Sequence, residues 1–225
     1  MTDISKEITL DLKRQSRLGF DEAIFCAQKS PPQIDEILQQ ARAQDRPLLL
    51  TRLSPAGWDA LAPAWAGAMD YDPVSQTAFL NAPARAASRG EIAVVSAGTS
   101  DIPAAKEAVR TLHYYGHEPA EIYDVGVAGL WRLLDRVDDL KERRVIIAVA
   151  GMDAALPSVL GGLVGGLIIA VPTSTGYGVA EGGATALKSA LSSCAPGVLV
   201  CNIDNGYGAA CAAIRAHNAY SGGAT

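Results

Sequence analysis

Residues 145–158 read VIIAVAGMDAALPS: an unbroken apolar run, then a glycine, one carboxylate and a proline. The same shape returns at IAVVSAGTSDIP (92–103) and LIIAVPTSTGYG (167–178), and more loosely at GVLVCNIDNGYG (197–208). A strand buried on both faces has no reason to alternate polar with apolar residues, so runs of this kind predict a parallel sheet covered by helices on both sides. Folds of that type bind ligands in a crevice outside the carboxyl ends of the strands. Here the crevice would be lined by Asp101, Asp153 and the hydroxyls and amides of residues 96–100, 173–175 and 202–205, with little positive charge. That is a nucleotide-sized pocket of backbone and small polar groups.

Outward from this core, IPAAKEAVRTLHYYG (102–116) predicts a helix closed by Gly116, EIYDVGVAG (121–129) a strand and loop, and LWRLLDRVDDLKE (130–142) a second helix. A small apolar helix from Pro157 is expected to be buried on all sides, with glycines at 161, 162, 165 and 166 permitting close backbone approach inside an oligomer. A helix over 181–193 and a strand over 197–203 complete the alternation. The predicted fold is α/β, a three-layer αβα doubly wound parallel sheet of flavodoxin-like type. Before it, PQIDEILQQARAQ (32–44) carries helical spacing, and PLLLTRL (47–53) and QTAFLN (76–81) read as strands of a small α/β appendage. The expected organisation is an N-terminal leader and appendage over 1–89, a catalytic domain over 90–219 and a flexible tail over 220–225.

With 225 residues, 49% of them hydrophobic, the chain can bury one good-sized core and a small appendage. A formal charge of −5 argues against a nucleic-acid coat, which needs clustered basic residues. The N-terminus MTDISKEITLDLKRQSR lacks the apolar stretch of a signal peptide, and Asp153 and two prolines interrupt the apolar region 145–172, so neither export nor a membrane span is expected. The cytoplasm is the expected compartment, with four reduced cysteines too irregularly spaced for a zinc knuckle. AGTSD has no G-x-G-x-x-G pattern and no phosphate loop ends in G-K-[ST], which disfavours a dehydrogenase or a nucleotide kinase.

SAGTSDIPAAKEA (96–108), DVGVAGLWRLL (124–134), AGMDAALPS (150–158), VPTSTGYG (171–178), SCAPG (193–197) and NIDNGYGA (202–209), in that order, resemble the LarB family. Its members are the carboxylase/hydrolase of nickel-pincer nucleotide biosynthesis, and their C-terminal domain is like the aminoimidazole ribonucleotide carboxylase of purine synthesis, PurE. DLKRQSRLGFDEAIFCAQK (11–29) resembles the family's leader, so the similarity covers nearly the whole chain. The resemblance implies that nicotinic acid adenine dinucleotide is carboxylated on its pyridinium ring and hydrolysed at its phosphoanhydride, releasing AMP and a dicarboxylated pyridinium mononucleotide. It also implies a homo-octamer. Carbon dioxide or bicarbonate would be the co-substrate, no cofactor is expected to be tightly bound, and Mg2+ is a candidate helper for anhydride hydrolysis. The purine enzyme carries histidines after its second and third strands; here those places hold Val127 or Ala128 and Ala155. A non-catalytic nucleotide-binding module and a structural scaffold are the remaining alternatives.

The resemblance makes Cys194 the nucleophile. A pyridinium ring does not attack carbon dioxide, but addition of a thiolate turns it into an enamine-like species that does, and a thiolate also leaves again. A cysteine that closes a helix is equally well a buried small residue. Removal of a proton after carboxylation requires a base. Asp153 is the candidate, although the family pattern has glutamate there and histidine where this chain has Trp131. Substrate contacts are expected from Gly98, Thr99, Ser100 and Asp101 after the first strand, where helix N-terminal amides hold phosphate well, and from Asp124 and Gly126 after the second. Gly151 and Met152 would contribute from the third loop, Thr173, Ser174, Gly176 and Tyr177 from the fourth, and Asn202 and Asp204 from the last. Asp101 and Asp204 have ordinary alternatives, as a charge on a helix start and a turn-forming side chain. Arg14 and Arg17 read as a solvated helix face, with Arg17 also a candidate to clamp the pyrophosphate.

Overall fold

The computed structural model describes residues 4–83 and 88–220. The chain divides into two compact units, residues up to Arg85 and residues from Ala86 onward. The boundary expected at 89/90 falls inside a strand that begins at Ser88. Of the expected tail, Tyr220 still ends a helix, and residues 221–225 lie outside the described residues.

In the first unit, α1 (Arg14–Leu18), β1 (Ala23–Phe25), α2 (Pro31–Ala43), β2 (Leu48–Thr51), α3 (Pro55–Asp59), β3 (Met69–Asp72) and β4 (Thr77–Leu80) follow in order. Ser30 and Gln33 form a capping box ahead of prolines in the first turn of α2, which satisfies amide donors that the helix cannot. Its Ile34, Ile37, Leu38 and Ala41 then pack on the sheet β1-β2-β4-β3 together with Leu48, Leu50 and Leu80. β1 and β2 run parallel, and β2, β4 and β3 are antiparallel.

The second unit holds β5 (Ser88–Ser96), α4 (Ile102–Tyr114), β6 (His117–Ile122), α5 (Leu130–Leu134), α6 (Val137–Lys141), β7 (Val145–Ala150), α7 (Ala155–Leu163), β8 (Leu167–Pro172), α8 (Ala184–Leu191), β9 (Leu199–Val200) and α9 (Gly206–Tyr220). Its five strands lie in the order β6-β5-β7-β8-β9, every neighbouring pair parallel. This is the expected flavodoxin-type doubly wound sheet. All six residues of β7 are buried, which explains the unbroken apolar run over 145–150. One face of the sheet presents Ile146, Ala148 and Ala150 to Leu133, Leu140, Leu156 and Leu160. The opposite face is covered by α4 and α9, which also pack on each other. Full burial of a Val or Ile side chain contributes about 1.5–3 kcal/mol, so β7 anchors the unit.

Several elements differ from expectation. The strand expected at 121 begins at His117, and the single helix over 130–142 is two short ones separated at Asp135 and Arg136. α7 starts at Ala155 and stops at Leu163, short of the extent read from Pro157. It is not buried on all sides: Leu156, Pro157 and Leu160 face inward, Gly161 sits against Ala195, and Gly162 is exposed with open space around it. Leucine and proline mark its core face, whereas glycine has no side chain to show which way it points. β9 is reduced to two paired residues, so Cys201 lies just past the strand, half-buried. The segment 178–183 ahead of α8 is 3-10 with a kink at Glu181 and Gly182. No described helix is long and apolar enough to cross a membrane.

Candidate active site

The loops leaving β5, β6, β7 and β8 enclose a cavity of about 520 Å³. Gly98, Thr99, Ser100 and Asp101 form one wall, Asp124 and Gly126 a second, Gly151, Met152 and Asp153 a third, and Thr175 closes the fourth side. Residues far apart in sequence meet here because each parallel strand stops at the same level. Ala97 donates to Val149 O at 2.9 Å, Val125 to Ser96 O at 3.1 Å and Thr173 to Ala150 O at 3.0 Å, which carries the hydrogen bonding past the ends of the strands.

Asp101 is the clamp of this arrangement. It is 4% exposed, and its two oxygens serve two loops: Oδ2 accepts from Gly98 N at 2.8 Å and Oδ1 from the Thr173 hydroxyl at 2.6 Å. The Thr175 hydroxyl donates to Ser100 O at 3.2 Å across the same gap, and Met152 N donates to Thr175 O at 2.9 Å. Thr173 therefore lies beneath the crevice, holding Asp101, and does not line it. Gly151 makes this closeness possible, since a Cβ there would stand 2.4 Å from Thr175 O. Met152 and Ala154 hold left-handed backbone, with φ of 54° and 46°, a conformation costing an L-residue about 1–2 kcal/mol.

Asp153 projects from the third loop, exposed, and accepts only a long hydrogen bond from Ala155 N at 3.4 Å. Asp124 is ion-paired: Oδ2 meets Arg132 Nη1 at 2.8 Å. Arg132 was not foreseen as a site residue, because on a helix it reads as surface charge; only the left-handed turn at Asp124 (φ 58°) turns that carboxylate back onto it. Asp204 supports the next loop by accepting from Ser174 N at 2.7 Å, and Asn202 accepts from Ile203 N at 2.9 Å in its own turn. Ser174, Gly176, Tyr177, Asn202 and Asp204 belong to loops at this end of the sheet but do not line the cavity. Tyr177 is 78% exposed.

Cys194 stands apart from them. It is exposed on the loop between α8 and β9, which feeds the amino end of β9, while the crevice lies at the carboxyl ends. Its neighbour Ser193 accepts from the Ser158 hydroxyl at 2.7 Å, tying this loop to α7. Burial pushes Cys26 up to about 12 and raises Cys201, so both stay protonated at neutral pH. The three histidines are also remote from the crevice. His113 ends α4, His117 starts β6, and His217 near the end of α9 stacks edge-on against His117 with ring centroids 5.1 Å apart. Arg17 belongs to the first unit, where Asp11 holds it through contacts of 2.6 and 3.3 Å. Among the described residues no three His, Cys, Asp or Glu side chains converge as metal ligands.

Comparison with known proteins follows the same two-unit division. Residues 2–82 match a LarB/PurE-like N-terminal domain, and residues 91–222 match AIR carboxylase. Over 122 residues the chain is 49% identical to the uncharacterized protein MJ0165 of Methanocaldococcus jannaschii, covering 53% of this chain and 46% of that one. The match thus spans about half the length of that relative. With the AIR carboxylase domain covering more than half of its residues and the LarB-type domain in front of it, the chain belongs to the LarB family and carries a PurE-like C-terminal domain.

Proposed function

We propose that this protein is a carboxylase that adds carbon dioxide to the pyridinium ring of nicotinic acid adenine dinucleotide and hydrolyses its phosphoanhydride, yielding pyridinium-3,5-biscarboxylic acid mononucleotide and AMP for a nickel-pincer cofactor. The observation that carries this reading over a purine-type one is a crevice without histidine in its lining, in which Asp153 is exposed and, among the described residues, has no ion pair. A carboxylate there complements the positive charge of a pyridinium ring, and the amides of Thr99 and Ser100 suit the phosphates, the Gly98 amide being held by Asp101.

In the proposed sequence the Cys194 thiolate forms a bond to the cationic ring, giving a neutral dihydropyridine. The enamine carbon then attacks carbon dioxide, Asp153 takes the proton from that carbon, and the electron pair returns to the ring as the sulfur–carbon bond breaks. The net change is C–H plus carbon dioxide to a carboxylate and a proton. Since Cys194 lies on the far side of its own crevice's sheet, we infer that it serves the crevice of a neighbouring subunit in a homo-oligomer. The open face of α7 at Gly162 supports such packing. Arg132, paired with the crevice residue Asp124, is a candidate phosphate contact. Any Mg2+ would be shared with the substrate's phosphates and water, as Mg2+ commonly is, and no step is assigned to it.

Incubation with the dinucleotide and bicarbonate, with product masses as readout, tests the reading. Cys194→Ser should lose carboxylation while some hydrolysis survives, and Asp153→Glu should keep or raise turnover. Full carboxylation by Cys194→Ser would overturn the covalent route. Mixed oligomers of Cys194→Ser with Asp153→Asn should regain activity if the thiol acts across subunits; no regain would place it with its own chain's base.

A further inference from the structure

At the other end of the parallel sheet, the amino ends of β7 and β8 open into a cleft of about 400 Å³ with Lys141, Arg143, Arg144, Gly165, Gly166 and Tyr220 among its walls. It lies the length of β7, about 20 Å, from the crevice. Glu142 is the one carboxylate in the lining, so three cations face one anion in a chain of net charge −5. Their charge is poorly compensated. Arg143 donates from Nε to Asp139 O at 3.0 Å and from Nη1 to Gly90 O at 2.5 Å, both neutral carbonyls. Arg144 meets Glu91 only at 4.0 Å, and the other Glu91 oxygen lies 2.7 Å from Nδ1 of His217. Lys141 has one exposed i,i+3 contact with Asp138 at 2.9 Å, of a class worth about 0.2–1 kcal/mol and readily exchanged.

Backbone donors stand beside these cations. Leu167 N donates to Arg144 O at 2.8 Å, whereas the amides of Gly165 and Gly166 donate no hydrogen bond among the described residues. Gly166 brings the two segments together, since a Cβ there would stand 2.4 Å from Arg143 O. Uncommitted amides beside guanidinium and ammonium groups are the donor set that an oxyanion takes. The volume exceeds what inorganic phosphate needs and falls within the ~300–1,000 Å³ of small-molecule sites, with Leu167 and the Tyr220 ring as apolar surface.

We propose that this cleft is a second ligand site, for a phosphate monoester of mononucleotide size: the phosphate bound by Lys141, Arg144 and the Gly165 and Gly166 amides, the ring against Tyr220. It uses none of the crevice residues and stands whatever reaction the crevice performs. Equilibrium dialysis of the full chain with AMP and, separately, inorganic phosphate at low ionic strength tests it. The double variant Lys141→Ala/Arg144→Ala should lose one class of AMP site, with affinity falling about tenfold or more, while melting temperature and crevice turnover stay as in the parent. Lys141→Arg/Arg144→Lys should retain the site. Unchanged AMP stoichiometry and affinity in the alanine double variant would overturn the proposal even if the crevice binds AMP, and so would the absence of saturable binding in the parent chain. Inorganic phosphate binding as tightly as AMP would overturn the assignment of a mononucleotide-sized ligand. Loss of carboxylase activity with the cleft site intact would count against the crevice reading alone.

Discussion

The two ends of the parallel sheet are built from the same strands and have opposite character. At the carboxyl end, loops cross-brace each other through Asp101, Thr173 and Thr175, and the lining carries three aspartates and no lysine or arginine. At the amino end, short connections leave Lys141, Arg143 and Arg144 around an open cleft with unclaimed glycine amides. Tight bracing fixes the position of reacting groups, which chemistry requires, whereas loosely paired cations need only attract an anion. The difference teaches that fold topology supplies two openings but that hydrogen bonding decides which one is suited to catalysis.

The largest effect should come from adding one carbon at each end. Gly151→Ala drives a Cβ to 2.4 Å from Thr175 O and should destabilise the protein by about 1–3 kcal/mol or more, as overpacking does. Gly165→Ala meets nothing within 4 Å and should stay within about 0.5 kcal/mol of the parent by urea unfolding. Equal effects would erase the contrast between a braced end and an open one. An intermediate effect is expected from Asp101→Asn. It presents an amide donor to one of two groups that now donate to it, and should cost about 1.5–3 kcal/mol, the range for hydrogen bonds to charged groups. A change below about 0.5 kcal/mol would return Asp101 to the role of a charge on a helix start. Among the side-chain truncations the effect on stability is smaller for Arg132→Ala, whose pair with Asp124 is one-third to one-half exposed and worth ~0.2–1 kcal/mol. If Arg132 also contacts substrate phosphate, KM for the dinucleotide should rise at low salt while melting barely moves; an unchanged KM would leave it a rim ion pair.

The central strands could be read from the sequence because burial on both faces leaves an unbroken apolar run, and β7 and β8 fall within a residue of expectation. β6 gave no such signal: HEPAEI is an edge strand with only Ile122 buried. α9 was missed because an alanine-rich helix shows little contrast between its faces. β1 and β3, at the two edges of the first unit's sheet, were equally silent. The crevice loops were legible as the polar ends of apolar runs. The bond joining Asp101 to Thr173 was not, since nothing local links residues 72 apart. The separation of Cys194 from Asp153 needed the chain direction: α8 carries the backbone away from the crevice before Cys194 is reached.

The left-handed backbone at Met152 and Ala154 has a consequence for how this protein can change. Glycine at either position would relieve local strain, so selection for heat tolerance alone would favour it. The same substitution would free the segment that aims Asp153, and turnover would fall as thermal tolerance rose. Lineages adapting to hot and temperate habitats should therefore differ in how they stabilise the helices and the outer layers, while keeping a side chain at these two strained positions.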